Sequence, residues 1–278
     1  MAKDDLFAGW LVASDIDGTI NNKIRRMPKK NKDAIENFVS KGGIFTLASG
    51  RNPQSMKTIF DKLPIKGTPA VVMNGAGIYD YESNEMLYFF PMSEEAMRMV
   101  INASKLFPLI DLLIITKDMI YVTGAGWFGK AFVRYGSLDH RCIRHIEDVP
   151  RENWGKVVFS GLPSHIRRLK KHFESLNDPD LSTVSSSVAS FEILAKGVNK
   201  GTALMKIADT MGIRKSHVGA IGDYFNDYDM LKSVGVPACC GQAPYAMKKI
   251  AEYVTCHCNR GAVADFLGYI RNKAEMNY

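Results

Sequence analysis

A chain of 278 residues, 46% apolar and 23% charged, is long enough for one large domain or two ordinary ones with real cores, and it has the composition of a soluble globular protein. Its apolar runs are too short to cross a bilayer, so no membrane partner is expected, and the acidic opening MAKDD does not read as a signal peptide. Five cysteines (142, 239, 240, 256 and 258) in no regular framework fit a reducing, cytoplasmic setting, and a net charge of +7 favours anionic partners.

In chain order, WLVAS is the first predicted strand and NKDAIENFVSKGG a helix with Ile35, Phe38 and Val39 on one face. IFTLAS follows as a strand ending at Ser49-Gly50-Arg51, and PAVVMNG as a third ending at Asn74-Gly75. From about residue 80 the texture changes. GIYDYESNEMLYFF reads as a hairpin turning at Ser83-Asn84, and SEEAMRMVINASKLF as a helix with Ser93 as its N-cap. LIDLLIIT, MIYVTG, KVVFSGL and SFEILAKG read as strands, with a basic helix near 164–176. Helix–strand alternation then returns in KGTALMKIADTMGI, HVGAIGD and NDYDMLKSV. The expected architecture is α/β: a Rossmann-like parallel-sheet core from residues 1–81 and 191–278, interrupted by an α+β cap domain at 82–190.

Two clusters of acids carry the chemistry. LVASDIDGT ends an apolar strand in Asp15 and Asp17, and VGAIGDYFND ends another in Asp223, with Asn226 and Asp227 in the next turn. In a parallel sheet these strand ends share one edge, and like charges so crowded oppose joint ionisation unless a cation intervenes. Hard oxygen ligands in small number suit Mg²⁺, which shares its shell with phosphate. Cys256-His257-Cys258 invites a metal reading too, but no local set completes four zinc ligands, and HRCIRH at 140–145 reads as a polar loop. The basic stretches NNKIRRMPKKNK (21–32) and RRLKKH (167–172) lack interleaved aromatics and a recognition motif, so nucleic acid is not expected. A phosphorylated small molecule or a merely solvated surface both fit them.

DIDGT, TLASGR, KGVNKG and GDYFND, in that order, resemble the four motifs of the haloacid dehalogenase-like phosphatases, specifically the Cof-type sugar-phosphatase branch with its large α/β cap. The resemblance extends to VMNGA at 72–76 and to the closing VTCHCNRGAVADFL. It implies a Mg²⁺-dependent phosphatase of small phosphorylated metabolites, acting through an aspartyl-phosphate. Asp15 would be the nucleophile, and Asp17 the general acid and then base, its backbone carbonyl also reaching the metal. Ser49, helped by the Gly50 amide, would bind a phosphoryl oxygen, and Lys200, rather than its rival Lys196, would neutralise developing charge. Asp223 would be the second carboxylate ligand, and Asp227 completes the metal set by orienting a metal-bound water or Lys200. Asn226 would contact phosphate, whereas Arg51 and Asn74 either touch substrate or tie down loops. Asp229 has no counterpart role and reads as solvated. The alternatives are a phosphomutase, told apart by an isomeric product instead of free phosphate, and a non-catalytic phosphate-binding module on the same fold. Oligomeric state is not readable.

Overall fold

The computed structural model describes residues 5–22, 24, 26–65, 67–123, 139–176 and 181–276. Lys23 and Arg25 of the first basic stretch lie outside the described residues. Leu11–Ser14 (β1) is wholly buried, with a parallel neighbour on either side. Strands covered on both faces need apolar residues at every position, which is why WLVA lacks polar alternation. Lys29–Ser40 (α1) buries Asn31, Ile35 and Phe38 at helical spacing, and Ile44–Leu47 (β2) and Pro53–Phe60 (α2) follow.

Ala70–Val72 (β3), Gly77–Asp80 (β4) and Glu85–Phe89 (β5) form a separate three-stranded sheet. The sequence places β3 in the parallel sheet. It does meet the end of β2 through a parallel bridge, Ala48 to Val71, but its regular ladder among the described residues is antiparallel, with β4. The short turn at Met73–Gly75 returns the chain at once, whereas a parallel connection needs a crossover of a dozen or more residues.

The insert is α+β. Glu94–Leu106 (α3) starts at Ser93, whose hydroxyl accepts from the Ala96 amide at 3.1 Å. After it come Asp111–Thr116 (β6), Ile120–Thr123 (β7), His140–Ile143 (β8), Trp154–Ser160 (β9), Pro163–Leu176 (α4), Leu181–Ser187 (β10) and Ser190–Ala195 (β11). The sheet order is β10-β11-β9-β6-β7-β8. Its core packs Leu112, Ile114, Val157, Phe159, Phe191 and Ile193 against Val100 of α3 and Leu169 and Phe173 of α4. HRCI is therefore an edge strand, parallel to β7, and not the polar loop expected. With His140, Arg141 and Cys142 exposed, it offers no apolar alternation to read.

Lys200–Thr210 (α5), Val218–Gly222 (β12), Tyr228–Ser233 (α6), Val236–Cys239 (β13), Tyr245–Ile250 (α7), Tyr253–Val254 (β14) and Ala262–Met276 (α8) return to the first unit. Its sheet, β14-β13-β12-β1-β2, is parallel throughout. Ala203, Leu204 and Ile207 of α5 and Met230 of α6 pack with Leu11, Ala13, Val218 and Ala220, while Phe266 and Ile270 of α8 lie against Gly219 on the opposite face. This is the doubly wound arrangement. One compact unit comprises the chain through Arg51, Met56–Leu87 and Lys200 onward; the other comprises Asn52–Ser55 and Tyr88–Asn199. The sequence reading returns to the core at 191, but β11 is laddered between β9 and β10 and so belongs with the cap sheet. Among the described residues no helix is long and apolar enough to cross a membrane.

Candidate active site

Strand order sets the site. From β1 the chain moves to β2 on one side and later returns to β12 on the other, so the order reverses at β1. Ligands of open parallel sheets bind outside the carboxyl ends of strands at such a reversal. Asp15 leaves β1 there, its amide donating to the Ile221 carbonyl at 3.0 Å, and Asp223 leaves β12 directly beyond Gly222.

Lys200 enters from the first turn of α5 and is buried to its tip, with Nζ 2.6 Å from both Asp15 Oδ1 and Asp227 Oδ1. The close approach depends on Gly201. A Cβ there would stand 2.4 Å from Ser233 Oγ and 2.6 Å from the Asp229 carbonyl oxygen, so a larger residue would hold α5 away from α6. Asp229 thus contributes through its backbone, its side chain being exposed as expected. Lys196 makes neither of the two carboxylate contacts of Lys200.

Asp227 divides its carboxylate between two tasks. Oδ1 holds Lys200, while Oδ2 accepts from the Asp223 amide at 2.9 Å and the Tyr224 amide at 3.2 Å, closing the turn over Gly222. Oxygens of Asp15, Asp223 and Asp227 lie within 4.8 Å of one another. Three buried or half-buried carboxylates against one lysine leave surplus negative charge. Burial pushes the Asp223 carboxyl up to about 6, helped by Asp227, and pushes Asp15 well above the ordinary range against the pull of Lys200. Burial alone would lower the Lys200 ammonium, but Asp15 and Asp227 outweigh it and hold its pKa above the usual lysine value. An all-oxygen donor set with unbalanced charge fits a small hard dication.

That charge has a measurable signature. A carboxyl whose folded pKa is raised binds its proton more tightly when folded, so its contribution to stability falls as pH climbs from about 4 to about 6, then stays constant. In EDTA, Asp223→Asn is therefore expected to match the parent at pH 4 and to exceed it by roughly 1–3 kcal/mol at pH 7. Denaturant melts of both proteins at the two pH values check this, and equal differences at both would contradict it.

Asp17 is placed apart from the acidic trio. Its two oxygens accept from Arg51, Oδ2 from Nε at 2.9 Å and Oδ1 from NH2 at 2.8 Å, a forked pair at the rim of the turn. Gly18 adopts φ +90°, and a Cβ on it would fall 2.3 Å from Asp223 Oδ2, so both its backbone and its space demand glycine. Ser49 is buried, its Oγ accepting from the Arg51 amide at 3.3 Å. Amides of Ser49, Met73 and Asn74 donate to the carbonyls of Val71, Arg51 and Ser49, zipping the two strand ends together. A Cβ on Gly50 would lie 3.0 Å from the Asn74 side-chain amide, so Gly50 and Asn74 do meet, while Arg51 is held to the neighbouring Met73 amide. Met73 and Asn74 both have positive φ, local strain of the kind that gathers at functional sites. Asn226 is half-buried in the turn and takes no part in the Lys200–carboxylate hydrogen bonds.

Two side-chain amides, Asn31 buried and Gln242 half-buried, escape a reading of the sequence. Asn31 donates to the Ile20 carbonyl at 2.9 Å and accepts from the Ala264 amide at 3.0 Å, tying the Asp15–Ile20 turn to α8; nothing in a basic helix signals this. Gln242 donates to the Gly18 carbonyl at 2.7 Å. Its signal was present: like Asp15, Ser49 and Asp223, it follows an apolar strand of the same parallel sheet. His257, in the Cys-His-Cys segment, accepts from the Asn259 amide at 3.1 Å and caps a short 3₁₀ turn.

Residues 12–267 match the family model described as haloacid dehalogenase-like hydrolase. The chain is similar to the 5-amino-6-(5-phospho-D-ribitylamino)uracil phosphatase YwtE of Bacillus subtilis, 27% identical with 92% of this chain and 96% of that protein covered. It is also similar to the HMP-PP phosphatase of an Enterobacter species, 24% identical over 96% of this chain and 98% of the relative. Among solved structures, a HAD/COF-like hydrolase from Plasmodium vivax superposes with a TM-score of 0.82 at 22% identity, covering 100% of both chains.

Proposed function

Because this chain belongs to the haloacid dehalogenase-like hydrolase family, we propose that it is a Cof-type, Mg²⁺-dependent phosphatase of small phosphorylated metabolites. The observation that carries the reading is the shared ion pair, Lys200 Nζ at 2.6 Å from both Asp15 and Asp227. It aims Asp15 and supplies a fixed positive charge where a phosphoryl group would gain negative charge. Asp15 attacks phosphorus, the ester oxygen leaves with a proton from Asp17, and an aspartyl-phosphate remains. Asp17 then takes a proton from water as that water attacks the same phosphorus, which releases phosphate and frees Asp15. Arg51 orients Asp17 for both transfers through its forked grip. Ser49 and the Gly50 amide bind phosphoryl oxygens, and Asn74 and Asn226 complete the contacts to substrate.

Asp15 and Asp223, with the backbone carbonyl of Asp17, would hold Mg²⁺, while Asp227 keeps Lys200 and the Gly222–Asp223 turn in place. When bound, the ion screens the incoming phosphoryl oxygens from the Asp15 carboxylate. Two relatives carry names of phosphatases acting on small phosphorylated metabolites, which supports that substrate class; sugar phosphates come first because the motifs resemble those of the sugar-phosphatase branch.

The test is phosphate release from a panel of sugar phosphates, nucleotides, phosphorylated cofactors and para-nitrophenyl phosphate, with Mg²⁺ and with EDTA. Expected is metal-dependent release with a ranking among the sugar phosphates. An isomeric sugar phosphate in place of free phosphate would make the enzyme a mutase, and no turnover of any ester would overturn the catalytic reading.

A further inference from the structure

Beyond β13 the chain makes a turn that no motif of the sequence singles out. The Cys240 amide extends the ladder to the Gly222 carbonyl at 3.0 Å, and the Gly241 amide donates to the Cys256 carbonyl at 3.2 Å. A Cβ on Gly241 would stand 2.8 Å from the Thr255 carbonyl oxygen, so this turn is pressed against residues 255–258. Both ends of the Gln242 side chain are consequently spoken for. Oε1 accepts from the Cys258 amide at 3.0 Å, and that bond turns Nε2 the other way, onto the Gly18 carbonyl at 2.7 Å and towards Asp223 Oδ2 at 3.5 Å. The opposite amide orientation would set Oε1 against a carbonyl and a carboxylate, and an NH₂ against an N–H, so three partners fix one orientation.

Asp223 is steadied on its other oxygen too. Thr19 Oγ1 lies 3.5 Å from Asp223 Oδ1, and Cys240 Sγ lies 3.8 Å from that same hydroxyl. Gln242 and Thr19 therefore flank the carboxylate, one on each oxygen. The strong bond is the one to Gly18, whose missing side chain leaves room for Asp223. A single amide thus ties the turn that carries Asp15 to the strand end that carries Asp223, segments some two hundred positions apart.

We infer that Gln242 is a positioning residue for Mg²⁺: it sets the separation and orientation of the Asp15–Thr19 turn and Asp223, and so the ion's affinity. The inference rests on the reading of Asp15 and Asp223 as the metal-holding carboxylates. Groups that orient ligands without touching the ion typically change its affinity 10–100-fold when removed.

Titration calorimetry of EDTA-stripped full-length protein with MgCl₂ tests it, alongside melting temperature in EDTA and phosphate release as Mg²⁺ is varied. Gln242→Leu keeps the volume and removes both bonds; Gln242→Asn keeps an amide one methylene too short to reach Gly18 and Cys258 together. Expected is Mg²⁺ binding weakened about tenfold or more in the leucine variant and by less in the asparagine variant, with kcat largely recovered at saturating Mg²⁺. A residue that only braces the fold would lower the metal-free melting temperature and leave Mg²⁺ affinity alone. Affinity within about twofold of the parent protein in the folded variants overturns the inference. Should Gln242→Leu fail to fold, Gln242→Asn decides by the same criterion. A parent protein that itself binds no Mg²⁺ overturns the metal site instead, so the two failures are distinguishable.

Discussion

Asp15→Asn is expected to lower phosphate release by at least about 10⁴-fold on every ester the parent protein hydrolyses. The substitution replaces the nucleophilic carboxylate with a neutral amide and leaves a side chain of the same shape. The neighbouring carboxylates are engaged elsewhere: Asp227 spends its oxygens on Lys200 and two amides, Asp17 is held by Arg51, and Asp223 is flanked by Thr19 and Gln242. The fold should survive, because Lys200 retains Asp227 and an amide oxygen can still accept from its ammonium. Rapid quench with a labelled ester, followed by acid precipitation, should trap phosphate on the parent protein and none on the variant. Release that persists in Asp15→Asn would mean a different nucleophile or a contaminating phosphatase.

Lys200→Met should be damaging in two separable ways. Activity falls by about 10³-fold, the scale of losing a preorganised charge beside the reacting group. Stability falls as well, by about 3–5 kcal/mol at neutral pH, because two buried carboxylates lose the cation they share. The sign with pH follows from the direction of the shift. A lysine held above its ordinary value stabilises the fold at every pH below that value, and the contribution is lost only as strong alkali removes the proton. The deficit of the variant should be full at pH 7 and shrink in acid, where the Asp15 carboxyl, raised by burial, takes up a proton and no longer needs the cation. Combining Lys200→Met with Asp15→Asn should recover part of the stability and none of the activity, a non-additivity expected of groups sharing one network. Denaturant melts of the four proteins at pH 5 and pH 7 measure it. Equal deficits at both values would mean that Lys200 is not holding charged carboxylates.

The strand-end positions were legible because each is announced twice, by an apolar run and by the polar residue that breaks it. Asp15, Ser49 and Asp223 could be placed on one edge before any coordinates, and Lys200 could be separated from Lys196 only by a resemblance of spacing. The pairing of strands was less legible. β3 reads like β1 and β2, and only the tightness of the turn after it, with positive φ at Met73 and Asn74, sends it back on itself. β8 and β10 were hidden for the opposite reason: HRCI and the serine-rich LSTVSSS carry too few apolar residues to show a period of two. Side-chain partners were least legible. The fork between Asp17 and Arg51 joins residues 34 positions apart, and Gln242 reaches Gly18 across 224, distances over which local pattern carries no information.

The central position of β1 also governs how the chain must be born. Its partner on one side, β2, emerges from the ribosome soon after it, but Asp15 waits for Lys200, 185 residues later, and for β12 beyond that. At about 5–20 residues per second this is an interval of roughly 10–40 s, during which the flank of β1 destined for β12 has no mate. The insert, whose strands pair among themselves, has all its own partners before the core sheet can close. A nascent chain therefore carries β1, a strand wholly buried in the finished fold, with one open edge until β12 emerges to cover it.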